Sequence, residues 1–167
     1  MRFSLQAACS LGGLLFAMHC PAADSFGPFD KIENTPLTEV WLSTGFETWH
    51  FDKSVGLNGH NPGWGGEYRY STTLSFTGGQ FYNSDRRTSN YLGGSWHPVS
   101  AGPLFRFGVF AGLFDGYPRM QNGGVFAALV PVISAEYGRI GANLIIIPTI
   151  QDRLYGGISL QLKLKIY

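Results

Sequence analysis

Leu160-Gln161-Leu162-Lys163-Leu164-Lys165-Ile166 alternates apolar and polar side chains without a break. A two-residue period is that of a strand, with the leucines on one face and the lysines on the other. Glu67-Tyr68-Arg69-Tyr70 and Leu104-Phe105-Arg106-Phe107 alternate in the same way. If the apolar faces meet lipid, Glu67, Arg69, Arg106, Lys163 and Lys165 point into an interior. Buried charges need partners, since an unpaired one costs several kcal/mol. These five side chains are therefore expected to form one hydrogen-bonded cluster that closes the floor of a barrel.

Working outward, eight strand-like runs cover residues 38–50, 63–71, 73–83, 89–98, 103–115, 124–136, 140–149 and 155–167. Their lengths match the roughly 9–11 residues of a tilted strand that crosses a bilayer. Short connectors alternate with mostly longer ones, as periplasmic turns alternate with external loops. From Thr38 onward no window keeps a helical period. The expectation is an all-β fold: an eight-stranded antiparallel transmembrane β-barrel over residues 38–167, with both ends on the periplasmic side. Residues 24–37 read as an extended lead-in.

Residues 1–23 have the form of a signal peptide: Arg2, an apolar core from Leu11 to Met18, and small residues at Pro21-Ala22-Ala23. This predicts export and an outer-membrane location. Cys9 and Cys20 both fall in that segment, so the mature chain has no disulfide or thiol chemistry. Removing Arg2 from the 12 Lys and Arg balances them against the 11 Asp and Glu. No basic patch marks a nucleic-acid partner. Only 14% of the 167 residues are charged, against about a quarter in soluble domains.

The half of the barrel nearer the long loops has a different pattern. Val109 to Phe114, Val125 to Val130 and Ile145 to Ile147 are apolar on both strand faces. Such strands are covered on both sides, which implies an apolar lumen near the outer rim. A diffusion porin has a polar lumen, and eight strands leave almost no channel. Pro131 and Pro148 stand inside two of these strands, where proline interrupts the ladder. They mark either a local bulge or a lateral opening toward the membrane.

Strand direction brings two further residues to the same rim. The first run ends at Thr48-Trp49-His50 and the third at Phe81-Tyr82-Asn83-Ser84, both at the long-loop end. An imidazole beside a hydroxyl is the minimum for general-base activation of an acyl acceptor. Neither residue has a motif of its own. No nucleophile elbow surrounds Ser84, and no His, Asp and Glu spacing indicates a metal.

At these residues the sequence resembles the lipid A palmitoyltransferase (PagP) family. Thr48-Trp49-His50 is similar to its histidine motif. Phe51-Asp52-Lys53 and Asn61-Pro62-Gly63-Trp64-Gly65-Gly66 resemble the loop and strand that follow it. Phe81-Tyr82-Asn83-Ser84 resembles its Phe-x-Asp-Ser, and Ser95-Trp96-His97-Pro98 its Trp-Arg-Pro turn. Leu129-Val130-Pro131 through Glu136-Tyr137-Gly138, and Ile146-Ile147-Pro148, resemble its two proline-bearing strands. The resemblance covers residues 40 to 167.

It implies a monomeric outer-membrane enzyme without a cofactor or metal, which moves a palmitoyl chain from a phospholipid to a hydroxyl of lipid A. It carries the catalytic roles to His50, Asn83 and Ser84, and the lateral gates to Pro131 and Pro148. It sets the floor of the acyl pocket at Tyr91, with Gly93 one step inward. Arg86 and Arg87 are then candidate contacts for lipid A phosphates. The chain departs from the family in having Asn83 for the Asp and a shorter loop after His50. It has no counterpart of the amphipathic N-terminal helix, and Lys163 and Lys165 precede Tyr167. A non-catalytic small barrel that binds or senses lipid is the alternative. An apolar lumen argues against a third class, a barrel that only stabilises the membrane or adheres to partners.

Overall fold

A computed structural model describes residues 25–151 and 153–167, so the signal peptide expected at residues 1–23 lies outside the described residues. The strands are β1 (Ser25–Phe26), β2 (Phe29–Lys31), β3 (Pro36–His50), β4 (His60–Ser71), β5 (Leu74–Tyr82), β6 (Thr88–Ala101), β7 (Phe105–Phe114), β8 (Phe126–Tyr137), β9 (Ile140–Ile147) and β10 (Gly157–Lys165). From β3 to β10 each strand pairs antiparallel with the next, and β10 returns to pair with β3. The chain is a closed eight-stranded antiparallel barrel. A 3₁₀ turn at Gln121–Gly123 is the only helical element among the described residues.

The lead-in is not simply extended. β1 and β2 form a tight hairpin around Gly27, whose φ of 69° suits glycine. β5 starts at Leu74, opposite Trp96, which leaves the lower end of β6 without a neighbour on that side. β2 pairs there, Asp30 with Ser100 and Lys31 with Val99. It covers a sheet edge that would otherwise be open to other chains.

The alternation read in the sequence sorts side chains as expected. Leu42, Trp64, Phe76, Leu92, Leu113, Leu129, Leu162 and Leu164 point outward, each at least half exposed. A continuous apolar belt of this kind is the lipid-facing surface of a membrane barrel. The opposite faces build the floor. Arg69 reaches Glu136 at 2.5 Å, Glu39 at 2.9 Å and Glu67 at 3.2 Å. Lys163 reaches Glu136 at 2.7 Å and Glu67 at 2.9 Å, and Lys165 reaches Glu39 at 2.8 Å. Arg106 lies 3.6 Å from Glu136 and donates to the Thr72 carbonyl. All five predicted charges are in this cluster, joined by Glu39 and Glu136. Trp41, 1% exposed, sits among them with Arg69, Lys163 and Lys165 against its ring. Its indole N–H donates to Glu39.

Candidate functional site

Above the floor the lumen holds a cavity of about 120 Å³. Its two walls differ. Phe81 of β5, Tyr91 of β6, Phe110 of β7 and Val130 and Val132 of β8 form an apolar cluster, with Phe114 and Ile145 packed against it. The opposite wall, from β10, β3 and β4, is mostly polar, although Phe46 of β3 packs against the apolar cluster. Thr48 donates to Asn61 at 2.8 Å and lies 2.7 Å from the Ser159 hydroxyl. The predicted pocket residue Tyr91 lines the cavity, and its hydroxyl reaches across to Gln161 at 3.3 Å. Gly65 clears the way, since a Cβ there would come within 2.3 Å of that hydroxyl. Gly93 is covered: the Phe110 ring lies 2.6 Å from where its Cβ would be. Phe110, not Gly93, meets the cavity on that side.

His50 stands at the upper end of the polar wall, where β3 runs into its loop. Its Nε2 is 3.2 Å from the Asn58 carbonyl. A carbonyl only accepts, so Nε2 holds the hydrogen and Nδ1 keeps a lone pair. That Nδ1 is buried and has no hydrogen-bond partner. Ser84 lines the same cavity. Asn58 ties the two loops together: its carbonyl faces His50 and its N–H donates to the Ser84 carbonyl at 3.0 Å. No hydrogen bond joins the His50 and Ser84 side chains among the described residues.

Asn83 has a different position. It is fully buried and outside the cavity lining. Its amide donates to the Ser89 hydroxyl and the Gly116 carbonyl, both at 2.8 Å. Its oxygen accepts from the N–H groups of Asp85 at 2.9 Å and Arg87 at 3.0 Å. A carboxylate could not donate to Gly116, which is a physical reason for Asn at this position. Two carboxylates line the cavity, Glu67 from the floor and Asp85 at the rim; sequence reasoning missed Asp85 although it follows Ser84 directly. Burial first, and then the charge of Asp85, raise the pKa of the Tyr117 phenol in the β7–β8 loop above its usual value.

The two predicted phosphate contacts also separate. Arg86, with a φ of 58°, donates to the Gly56 carbonyl at 3.1 Å and braces one loop against another. Arg87 is exposed and borders a shallow cleft with Thr88 and Asn122. Arg153 of the β9–β10 loop lines the main cavity, and nothing in its sequence surroundings marked it.

Pro131 lies on the outer face of β8, opposite Val109 of β7. β8 pairs with β7 from Phe126 through Ala135, but with β9 only from Val132 downward. β9 itself continues upward to Ile147, and Pro148 follows directly. The barrel wall is therefore unpaired between upper β8 and upper β9, beginning where Pro131 has no N–H to give. Ala128, Val130 and Ile147 border this gap and also line the cavity.

Among solved structures, the chain is similar to one described as "De novo design of transmembrane beta-barrels", with a TM-score of 0.56 and 12% identity over 81% of this chain and all of that one. It is also similar to the designed barrel TMB2.3, solved by solution NMR, with a TM-score of 0.58 and 13% identity over 81% of this chain and 99% of that one. The fold is that of a transmembrane β-barrel. No protein-family model matches the chain, and no curated protein matches it in sequence. In this membrane barrel, His50, Ser84 and Asp85 share the lining of one cavity beside a break in the wall.

Proposed function

We propose that the protein is an outer-membrane acyltransferase, which moves an acyl chain from a phospholipid to a hydroxyl of lipid A. The observation that carries this reading is His50 Nδ1, buried and unpartnered on a cavity whose apolar side adjoins the gap between β8 and β9. The donor chain enters from the membrane between Pro131 and Pro148. The acceptor hydroxyl gives its proton to Nδ1 as its oxygen attacks the ester carbonyl. The Ser84 hydroxyl donates to the oxyanion that forms. On collapse the ester C–O bond breaks, the imidazolium returns the proton to the departing lysophospholipid oxygen, and the acyl chain stays on lipid A. Asp85 supplies negative charge on the same lining while the imidazole is protonated. Arg153 on the cavity lining and Arg87 at the neighbouring cleft are cations available to lipid A phosphates.

The test is the purified barrel in mixed micelles of phospholipid and lipid A, followed by mass spectrometry. The expected product is lipid A heavier by one acyl chain, formed by the wild type and lost in His50→Ala. A second reading, a barrel that binds or senses lipid without turnover, is favoured by the absence of a His50–Ser84 hydrogen bond and by the commitment of Asn83 to its loop. Retention of a chain in the cavity without any change in lipid A would establish that second reading.

A further inference from the structure

Directly beneath His50, the polar wall holds a chain of hydrogen bonds that the acyl-transfer chemistry leaves unused. Thr48 of β3 is the next inward residue below His50, and Ser159 of β10 lies opposite it. Thr48 has one hydroxyl hydrogen, and it goes to Asn61 Oδ1 of β4 at 2.8 Å. Asn61 is oriented by its own amide, which donates to the Tyr82 carbonyl at 2.9 Å. In the 2.7 Å contact between the Thr48 and Ser159 hydroxyls, Ser159 is therefore the donor. Ser159 then has no hydrogen left to give. Its Oγ keeps a lone pair, and no other hydrogen bond reaches it among the described residues. Thr48, Asn61 and Ser159 all line the cavity, and Asn61 and Ser159 are buried. The wall below His50 thus offers an acceptor to whatever fills the cavity.

A plain hydrocarbon chain has no donor for that acceptor. It also leaves bilayer surroundings as apolar as the cavity, so its methylenes gain little on entry. A chain that carries a hydroxyl gains a partner whose own hydrogen is already committed. The spacing says where that hydroxyl stands. Same-face neighbours along a strand are about 7 Å apart. With the ester carbon level with His50, a hydrogen bond of about 2.8 Å to Ser159 leaves about 4 Å for the chain to cover. Two carbon–carbon bonds and one carbon–oxygen bond cover it, which puts the hydroxyl on the third carbon of the acyl group. We infer that Ser159 Oγ accepts a hydroxyl from the donor chain, and that the barrel prefers donor lipids whose acyl group is hydroxylated at its third carbon. The inference rests on the reading of the cavity as an acyl site, and it names the class of chain. The chain's hydroxyl takes no part in the transfer. It holds the acyl group so that the ester stays beside His50 Nδ1.

The experiment is native mass spectrometry of the purified barrel in micelles with an equimolar mixture of 3-hydroxydodecanoic and dodecanoic acids, two chains of one length. The wild type is expected to retain the hydroxy acid in roughly fivefold excess, the worth of one net hydrogen bond. A second mixture, with 12-hydroxydodecanoic acid in place of the 3-hydroxy acid, is expected to show no such excess. Ser159→Ala removes the acceptor and is expected to bring the first ratio to one, whereas Ser159→Thr restores a hydroxyl and keeps the preference. If Ser159→Ala does not fold, the two mixtures on the wild type decide alone. Equal retention of 3-hydroxydodecanoic and dodecanoic acid overturns the inference. So does the same excess for the 12-hydroxy acid, or an unchanged ratio in folded Ser159→Ala. Preferred retention of the 3-hydroxy acid without acyl transfer to lipid A removes the transferase and leaves the inference standing. Transfer of dodecanoyl as fast as 3-hydroxydodecanoyl does the reverse, and retention of no chain at all overturns both.

Discussion

Below Gln161, Lys163 touches two carboxylates and Arg69 touches three. Above it, His50 Nδ1 has no hydrogen-bond partner. The lower lumen is densely paired: four cations and three carboxylates, with Trp41 packed among them and only Arg106 Nη1 lacking a hydrogen bond among their described side chains. The upper lumen keeps an empty volume, a free lone pair and an unpaired length of wall. A barrel held together by its floor can leave its outer half incomplete. That separation lets one half supply rigidity while the other keeps reactive groups unsatisfied.

The largest effect expected from breaking this division is in the floor. Arg69→Met leaves Glu39, Glu67 and Glu136 short of a partner, and removing one member of a buried pair costs about 3–5 kcal/mol. Urea unfolding in micelles should show a loss of that size. A change under about 1 kcal/mol would mean that the floor does not hold the barrel.

His50→Ala tests the upper half. General acid–base catalysis contributes about 10²–10⁴-fold, so turnover should fall by that much while the urea midpoint stays near wild type. A folded His50→Ala protein with full activity would put the chemistry elsewhere.

Asn83→Ala lies between the two. It removes four loop hydrogen bonds, with a stability loss of about 1–3 kcal/mol, and it should lower turnover less than His50→Ala does. Equal losses of turnover would give Asn83 a direct part in the reaction.

The smallest effect is the pH response of the outer loops. Tyr117 has a raised folded-state pKa, so the stability it supports is complete below the unfolded tyrosine value of about 10. That stability is lost as pH rises toward the folded value. Its phenolate absorbance should therefore appear later in an alkaline titration than that of free tyrosine. Ionisation at the free-tyrosine value would show that the loop opens before the phenol ionises.

Much of the floor was legible because alternation fixes facing. Once Leu162 and Leu164 meet lipid, Lys163 must point inward. Glu136 was harder because Val132-Ile133-Ser134-Ala135 before it alternates weakly, and Glu39 because it lies near the start of its strand. The strand limits were also close, although β4 begins at His60 because its ladder to β3 extends up to Glu47. The rim was legible only to the level of strand ends. Topology put His50 and Ser84 on one side, but only side-chain geometry separates the cavity-facing Asp85 from the loop-bound Asn83. The hydrogen-bonded chain through Ser159 left no local signal. Thr48, Asn61 and Ser159 stand on three strands, and they become a unit only through register.

The inward lysines of β10 also bear on assembly. β10 closes the barrel against β3, with Lys163 opposite Ser43. A one-residue slip of this seam would turn Lys163 and Lys165 toward lipid, at roughly 2–4 kcal/mol for a lysine at mid-membrane. It would also leave Glu67 and Glu39 without those lysines. The floor therefore acts as a check on the frame of the last strand. A misclosed seam lacks the ion pairs that would hold it shut, so it reopens and tries again, and only the native register lasts.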